Sequence, residues 1–294
     1  MVLDTPVAFI IFNRPDLTKL VFSKIREAKP KKLLVIADGP RFLEEKELCK
    51  KTRSVIEQVD WNCEVLTNYS DTNKTSPIRC LSGLNWVFSL VEEAIILEDD
   101  CLPTLSFFYF CQNLINKYRH DERIMSISGS NFQFGKSRTS YSYYFSKYAH
   151  IWGWATWKRS WSNIDFEMKK WENFKKEQLL KFVCEDPYEL KFWTKIFDKC
   201  VYENDLHWDC SWLFTCWSRS GLTILPNKNL VSNIGFREDA THTTSADNPR
   251  ANLPTIDIWN IKHPPFVVQH KEADEFTFDT SFGGYYMKLS KKPS

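Results

Sequence analysis

The sequence predicts an α/β domain in which helices flank a mainly parallel sheet. Short apolar runs alternate with helix-period segments through the first half, the pattern of βαβ units. The first run is near-continuously apolar rather than alternating, as a strand buried on both faces is. The composition, 43% apolar and 26% charged over 294 residues, belongs to a folded chain and excludes a disordered one.

Residues 6–12 (PVAFIIF) read as the first strand, ending at Asn13-Arg14-Pro15-Asp16, where Pro and Asp signal a helix start. Leu17, Leu20, Val21, Ile25 and Ala28 then recur at helical spacing until Pro30 stops them. Residues 32–38 (KLLVIAD) form a second strand that closes on Asp38-Gly39-Pro40. A charged helix over residues 44–59 leads to a third strand over 64–68. A helix over 78–91 precedes the fourth strand, 93–97, which ends in Glu98-Asp99-Asp100. A helix over 104–118 and a fifth strand over 124–128 complete this half.

Beyond Phe145 the alternation stops, and nine of the twelve tryptophans collect between Trp152 and Trp217. Helices are expected over 171–183, 188–202 and 210–219, then a short strand over 222–225 and mostly loop from Thr241 onward. Residues 141–145 (YSYYF) alternate aromatic and small side chains, the pattern of an edge strand. No internal repeat and no glycine-rich linker divides the chain, so residues 1–294 read as one domain in two parts, 1–130 and 131–294.

Lys and Arg number 39 against 37 Asp and Glu, a net charge of +2, so nucleic acid is not an expected partner. No run reaches the ~18 apolar residues of a membrane span. The N-terminus shows neither a basic region nor a cleavage site, and a cytoplasmic protein without an anchor is expected. The nine cysteines are odd in number and contain no C-x-x-C pair, which favours reduced, packed thiols over a disulfide framework or zinc knuckle. Cys210 and Cys216, flanking an expected helix, are the pair to watch.

In an open parallel sheet, ligands bind beyond the carboxyl ends of the strands. Three polar clusters fall there: Asn13-Arg14, Asp38, and Glu98-Asp99-Asp100. The triplet is the most informative. Two unit charges at ~6 Å and an effective dielectric of ~20 repel by roughly 3 kcal/mol, so a strand end holding three acids calls for a cation or hydrogen-bonding partner. Strand alternation puts Glu98 and Asp100 on one face and Asp99 on the other. The competing reading is a solvated loop whose negative charge favours the dipole of the next helix.

The run Val7-Ala8-Phe9-Ile10-Ile11-Phe12-Asn13-Arg14, the strand ending in Asp38, AIILEDD over 94–100, Phe107-Phe108, Gly153-Trp154 and Trp208-Asp209 resemble the nucleotide-sugar-dependent glycosyltransferases of the Rossmann-like GT-A fold. The likeness is to the inverting N-acetylglucosaminyltransferase I family and to bacterial sugar transferases sharing its outline, and its motifs run over residues 6–242. The resemblance implies that residues 1–130 bind a UDP-type nucleotide sugar, carrying N-acetylglucosamine or another hexose. The Trp-rich half, 131–294, would then bind a glycan or lipid-linked acceptor. It implies Arg14 and Asp38 near the nucleotide base, Asp99 on the ribose, with Glu98 beside it, Asp100 on Mn²⁺ or Mg²⁺, and Asp209 as catalytic base. The family closes its second motif with paired acids and a Trp, where this chain reads Trp208-Asp209-Cys210-Ser211-Trp212. Its eukaryotic members also carry a membrane anchor and stem that this sequence does not show.

Physical chemistry agrees with that outline. A diphosphate leaving group is stabilised by a divalent ion, and Mg²⁺ or Mn²⁺ takes oxygen ligands with only one or two protein carboxylates. His242, in a polar loop, is weighed as a further metal ligand against simple local hydrogen bonding, and Arg237 as a diphosphate contact. His207 reads as an orienting or surface residue. Trp152, Trp154 and Trp208 are the acceptor-contact candidates, since Trp faces stack on sugar rings, whereas Trp171 and Trp193 read as core. The basic end, Lys288 to Lys292, reads as a solvated tail, or as a peripheral contact with the inner face of a membrane. Two rivals stand beside this reading. A sugar-1-phosphate nucleotidyltransferase would need a glycine-rich loop where Asn13-Arg14-Pro15 stands, and a non-catalytic carbohydrate-binding protein leaves the triplet without a purpose.

Overall fold

The computed structural model describes residues 2–203, 205–237 and 247–290. The first part runs β1 (Val7–Ile11), α1 (Pro15–Ala28), β2 (Lys32–Ala37), α2 (Lys46–Ser54), β3 (Glu64–Tyr69), α3 (Ser76–Leu90), β4 (Glu93–Glu98), β5 (Cys101–Pro103), α4 (Leu105–Tyr118) and β6 (Ile124–Ser128). The second part adds β7 (Tyr143–Ser146), β8 (Trp154–Trp157), α5 (Lys158–Trp161), α6 (Trp171–Lys176), α7 (Pro187–Tyr202) and α8 (Trp208–Ser218). It ends with β9 (Leu222–Pro226), β10 (Val231–Asn233), α9 (Lys271–Ser281) and α10 (Gly284–Leu289).

One eight-stranded sheet, in the order β3-β2-β1-β4-β8-β6-β9-β7, takes strands from both parts of the chain. β3, β2, β1 and β4 are parallel, with Val7 opposite both Leu33 and Ile95. β8 then enters antiparallel between β4 and β6, and β7 is the antiparallel edge beside β9. The carboxyl ends of β1, β2 and β4 therefore open on one edge, which gathers the three polar clusters.

Side-chain alternation divides the core between the two faces of the sheet. Val7, Phe9, Ile11, Leu33 and Val35 pack with Val21 and Ile25 of α1 and with the Phe107, Phe108 and Phe110 side of α4. Ala8, Leu34, Ile36 and Ile96 face the other way, onto Leu84 and Val87 of α3 and a layer of aromatic side chains. That second layer explains the tryptophans. Trp154, Trp161, Trp171, Trp193, Trp208, Trp212 and Trp217 are all buried within it.

The expected elements of the first part lie within two residues of their bounds, except that the charged helix over 44–59 is α2 flanked by two 3-10 turns, and β5 was not expected. In the second part, the helix expected over 171–183 divides into α6 and a 3-10 turn, Leu179–Phe182, because Gln178 adopts a left-handed conformation (φ 54°). The expected C-terminal loop contains α9 and α10. Only Ala273, Asp274, Thr277 and Phe278 of α9 are buried, so acids and threonines mask its apolar stripe. β8 was hidden because all four of its residues are buried and two are tryptophans, leaving no alternation to read. All nine cysteines are free, and Cys210 pairs its thiol with Cys200 rather than lying beside Cys216. No helix among the described residues is long and apolar enough to cross a membrane.

Candidate active site

β1 and β4 are adjacent, so the residues that follow them meet. Arg14 caps the start of α1, and its Nη2 ion-pairs with Asp99 Oδ1 and, at 3.0 Å, with Asp100 Oδ2. Asp99 is 3% exposed and also accepts a hydrogen bond from the Phe12 backbone N–H at 3.3 Å. The alternation expected of the triplet is thus broken. The chain turns after Glu98, so Asp99 and Asp100 face the same guanidinium. Arg14, expected beside a nucleotide base, is engaged with these carboxylates.

The electrostatics are those of a crowded acidic site. Burial, followed by the charges of Asp100 and Asp99, pushes Glu98 up to about 8. Burial raises Asp99 to about 6, although Arg14 pulls it back. Burial works against the charged form of Arg14, but its two acidic neighbours outweigh that and hold its pKa above the usual value. The Glu98 carboxylate is raised further by Asp209, which brings the expected catalytic base within electrostatic reach of the triplet. Asp209 is an exposed residue in the first turn of α8 whose carboxylate makes no hydrogen bond among the described residues. The N-cap of that helix is His207, so Asp209 does not serve as a cap. His207 also lies 3.3 Å from Asp205 through its Nε2.

A two-stranded ribbon, β5 with β10, closes the site from the other side. Asn233 stands opposite Cys101, and the Ile234 N–H donates to the Asp100 carbonyl at 2.8 Å. This lays Gly235 against the carboxylate. A Cβ at that position would sit 2.2 Å from Asp100 Oδ2, so the close approach requires glycine. Gly153 has a comparable constraint at the base of the ribbon, with φ +64° and Val231 where a side chain would go. Arg237, considered for a diphosphate, pairs with Asp16 at 2.5 Å, and His242 lies outside the described residues.

Asp38 stands apart, beyond β1, and is 6% exposed. Its Oδ1 accepts from the Gly39 and Lys74 N–H groups at 2.9 Å each, and its Oδ2 accepts from Lys74 N–H and Asn73 Nδ2 at 3.1 Å each. Both oxygens are therefore engaged in holding the 73–74 loop to the end of β2. Burial raises its pKa, against the pull of those backbone donors. Beneath it, Arg79 donates to the Ala37 carbonyl and to Asn68, tying β2 to β3.

A cavity of about 160 Å³ lies on the far side of Asp209. Trp152, Phe132, His150, Arg250 and Trp193 are among its walls. Trp152 thus faces open space beside the site, but the other two tryptophans expected at an acceptor do not. Trp154 is 1% exposed and Trp208 is 5% exposed, and they stack on each other at 5.8 Å within the core. Neither ring is available to a ligand. His150, Arg250 and Gly235 carried no local signature in the sequence, since each gains its meaning from a neighbour more than 40 residues away.

The donor set at the triplet is hard oxygen, which suits Mg²⁺ or Mn²⁺. Asp100, and Glu98, whose carboxylate makes no hydrogen bond or ion pair among the described residues, are the residues that would hold such an ion. Among the described residues no three His, Cys, Asp or Glu side chains converge as an all-protein metal centre. A cation here would rest on one or two carboxylates and on ligand oxygens.

No protein-family model and no curated protein matches the chain. Among solved structures it is similar to 4-diphosphocytidyl-2C-methyl-D-erythritolsynthase of Anaerococcus prevotii, at 11% identity and a TM-score of 0.33, over 53% of this chain and 72% of that one. A cytidylyltransferase of Leptospira borgpetersenii matches at 10% identity and a TM-score of 0.35, over 55% and 64%. A UDP-glucose pyrophosphorylase, complexed with UDP-glucose, matches at 12% identity and a TM-score of 0.28, over 51% and 64%. The chain spans less than two thirds of the last two proteins. Alignments of this depth assign neither a residue nor a reaction to the site.

Proposed function

We propose that the protein is an inverting, metal-dependent glycosyltransferase that moves a sugar, N-acetylglucosamine or another hexose, from a UDP-type donor to a hydroxyl of a saccharide acceptor. The observation that carries this reading is the Asp209 carboxylate, without a hydrogen bond among the described residues and set between the acidic triplet and a largely aromatic cavity. Inversion is a single displacement. The acceptor oxygen bonds to the anomeric carbon, the bond from that carbon to the diphosphate breaks, and Asp209 takes the hydroxyl proton. A divalent ion bound at Asp100 would supply Lewis-acid stabilisation of the diphosphate charge. Arg14 fixes the Asp99 and Asp100 carboxylates, and Gly235 leaves room for Asp100 to keep its place.

Calorimetry with UDP, with and without Mn²⁺, tests the reading. Mn²⁺-dependent UDP binding that is lost in Asp100→Asn, together with activity silenced by EDTA, supports sugar transfer. Normal turnover of Asp100→Asn at low Mn²⁺ removes Asp100 from the role. A preference for a nucleoside triphosphate would instead support a sugar-1-phosphate nucleotidyltransferase. Against that reading, α1 opens on Arg14 and Pro15, with no glycine to bring backbone N–H groups onto phosphate. Sugar binding without nucleotide would leave a carbohydrate-binding protein.

A further inference from the structure

The cavity beside Asp209 has a charge problem that its own residues do not solve. His150 is 7% exposed, and its Nε2 is buried without a hydrogen-bond partner. Arg250, on the same cavity, forms no ion pair with a carboxylate among the described residues. Among the described residues its side chain reaches Asn248 Oδ1, at 3.4 Å, and the Trp152 ring, whose centroid is 5.7 Å from the guanidinium carbon. A partly buried cation and an unpartnered buried ring nitrogen, side by side, are a standing cost unless an anion or acceptor oxygen arrives. Apart from Asp209 and Cys210 the remaining walls are apolar and largely aromatic: Trp152 meets Phe132 edge-on at 5.1 Å, and His150 lies 4.4 Å from Phe132.

We propose that this cavity binds an acidic saccharide, seating its carboxylate or phosphate against Arg250 and His150 and its ring against Trp152. The inference rests on the transfer reading only in naming that saccharide the acceptor. Polarity fixes its direction. The negative Asp209 repels the anionic end, so that group lies toward Arg250 while a hydroxyl is left at Asp209. The volume, about 160 Å³, is well below the ~300–1,000 Å³ of sites that enclose a drug-sized ligand, which suits one sugar unit rather than a whole nucleotide sugar. Arg, rather than Lys, is the side chain suited to bidentate contact with a carboxylate or phosphate.

The test needs neither metal nor nucleotide. Glucuronate, glucose 6-phosphate and glucose are titrated separately into the full chain, with binding read by tryptophan fluorescence and calorimetry. At least one of the two anions is expected to bind ten-fold or more tightly than glucose, and the tighter one identifies the group as carboxylate or phosphate. Arg250→Gln should reduce that preference to three-fold or less, and Arg250→Lys should restore part of it. Equal affinity for all three sugars, no binding of any, or a preference kept in Arg250→Gln overturns the proposal. Failure of Mn²⁺-dependent UDP binding would sink the transfer reading and leave this site standing. Loss of the anion preference with UDP binding intact would sink this site alone.

Discussion

Asp209 separates two roles that the sequence left side by side, helix cap and general base. The structure gives the cap position to His207, and the Asp209 carboxylate holds no backbone N–H. Loss of a cap typically costs about 1 kcal/mol of stability, whereas loss of a general base costs on the order of 10²- to 10⁴-fold in rate. Asp209→Asn is therefore expected to leave the unfolding midpoint in place and UDP affinity intact while kcat falls by that order. A fully active variant, or product with retained anomeric configuration by NMR, would end the single-displacement mechanism. Its place at a helix start was legible because a lone acid after an aromatic is a local signal. Trp154 and Trp208 were misread for the same reason: adjacency to Gly153 and Asp209 suggested a site, while their burial depends on each other and on Trp212 across the fold.

Two short elements, rather than the long helices, set the geometry of the candidate site. The β5–β10 ribbon presses Gly235 against Asp100, so Gly235→Ala must displace the carboxylate that pairs with Arg14. The expected result is Mn²⁺-dependent UDP affinity reduced ten-fold or more, a change of about 1.4 kcal/mol or greater. Calorimetry beside the wild type checks it, and unchanged affinity would detach the ribbon from the site. The β2 exit behaves differently. Asp38 was expected from the sequence to meet a nucleotide base, but its oxygens are engaged by Gly39, Asn73 and Lys74. Asp38→Ala leaves the buried Gly39 N–H and the part-buried Lys74 N–H without their acceptor, and a loss of about 1–3 kcal/mol in urea unfolding is expected. An unchanged midpoint would show that the loop does not depend on it. Strands β1, β2 and β4 were readable because strands buried on both faces are nearly all apolar and end abruptly in polar residues. β10 and β5 were not, because three residues paired across more than a hundred leave no period to detect.

At the scale of the whole molecule, the sheet separates an aliphatic and phenylalanine layer from a tryptophan layer, and the cavity with His150 opens within the second. Burial, and secondarily the charge of Arg250, pull the His150 pKa from 6.5 down to about 3. Tyr148 stacks parallel to its ring at 6.2 Å, and Phe132, Asp209 and Cys210 complete the cavity wall near it. None of these neighbours accepts a hydrogen bond from Nε2. The folded protein therefore keeps His150 neutral until about pH 3, while the unfolded chain takes up a proton near 6.5. Between those values the unfolded state holds the extra proton, so stability falls as the pH drops, by about 1.4 kcal/mol per pH unit for this one group. Above pH 6.5 both states are neutral at this position and the contribution is constant. Other buried acids also titrate over the same range, so the decisive measurement is a difference: urea unfolding of wild type and His150→Gln from pH 7.5 to 4. The variant should lose less stability on acidification, with the gap closing progressively below pH 6.5. Parallel curves would mean that His150 takes up its proton over the same pH range in the folded and unfolded states, which would overturn this account of its burial.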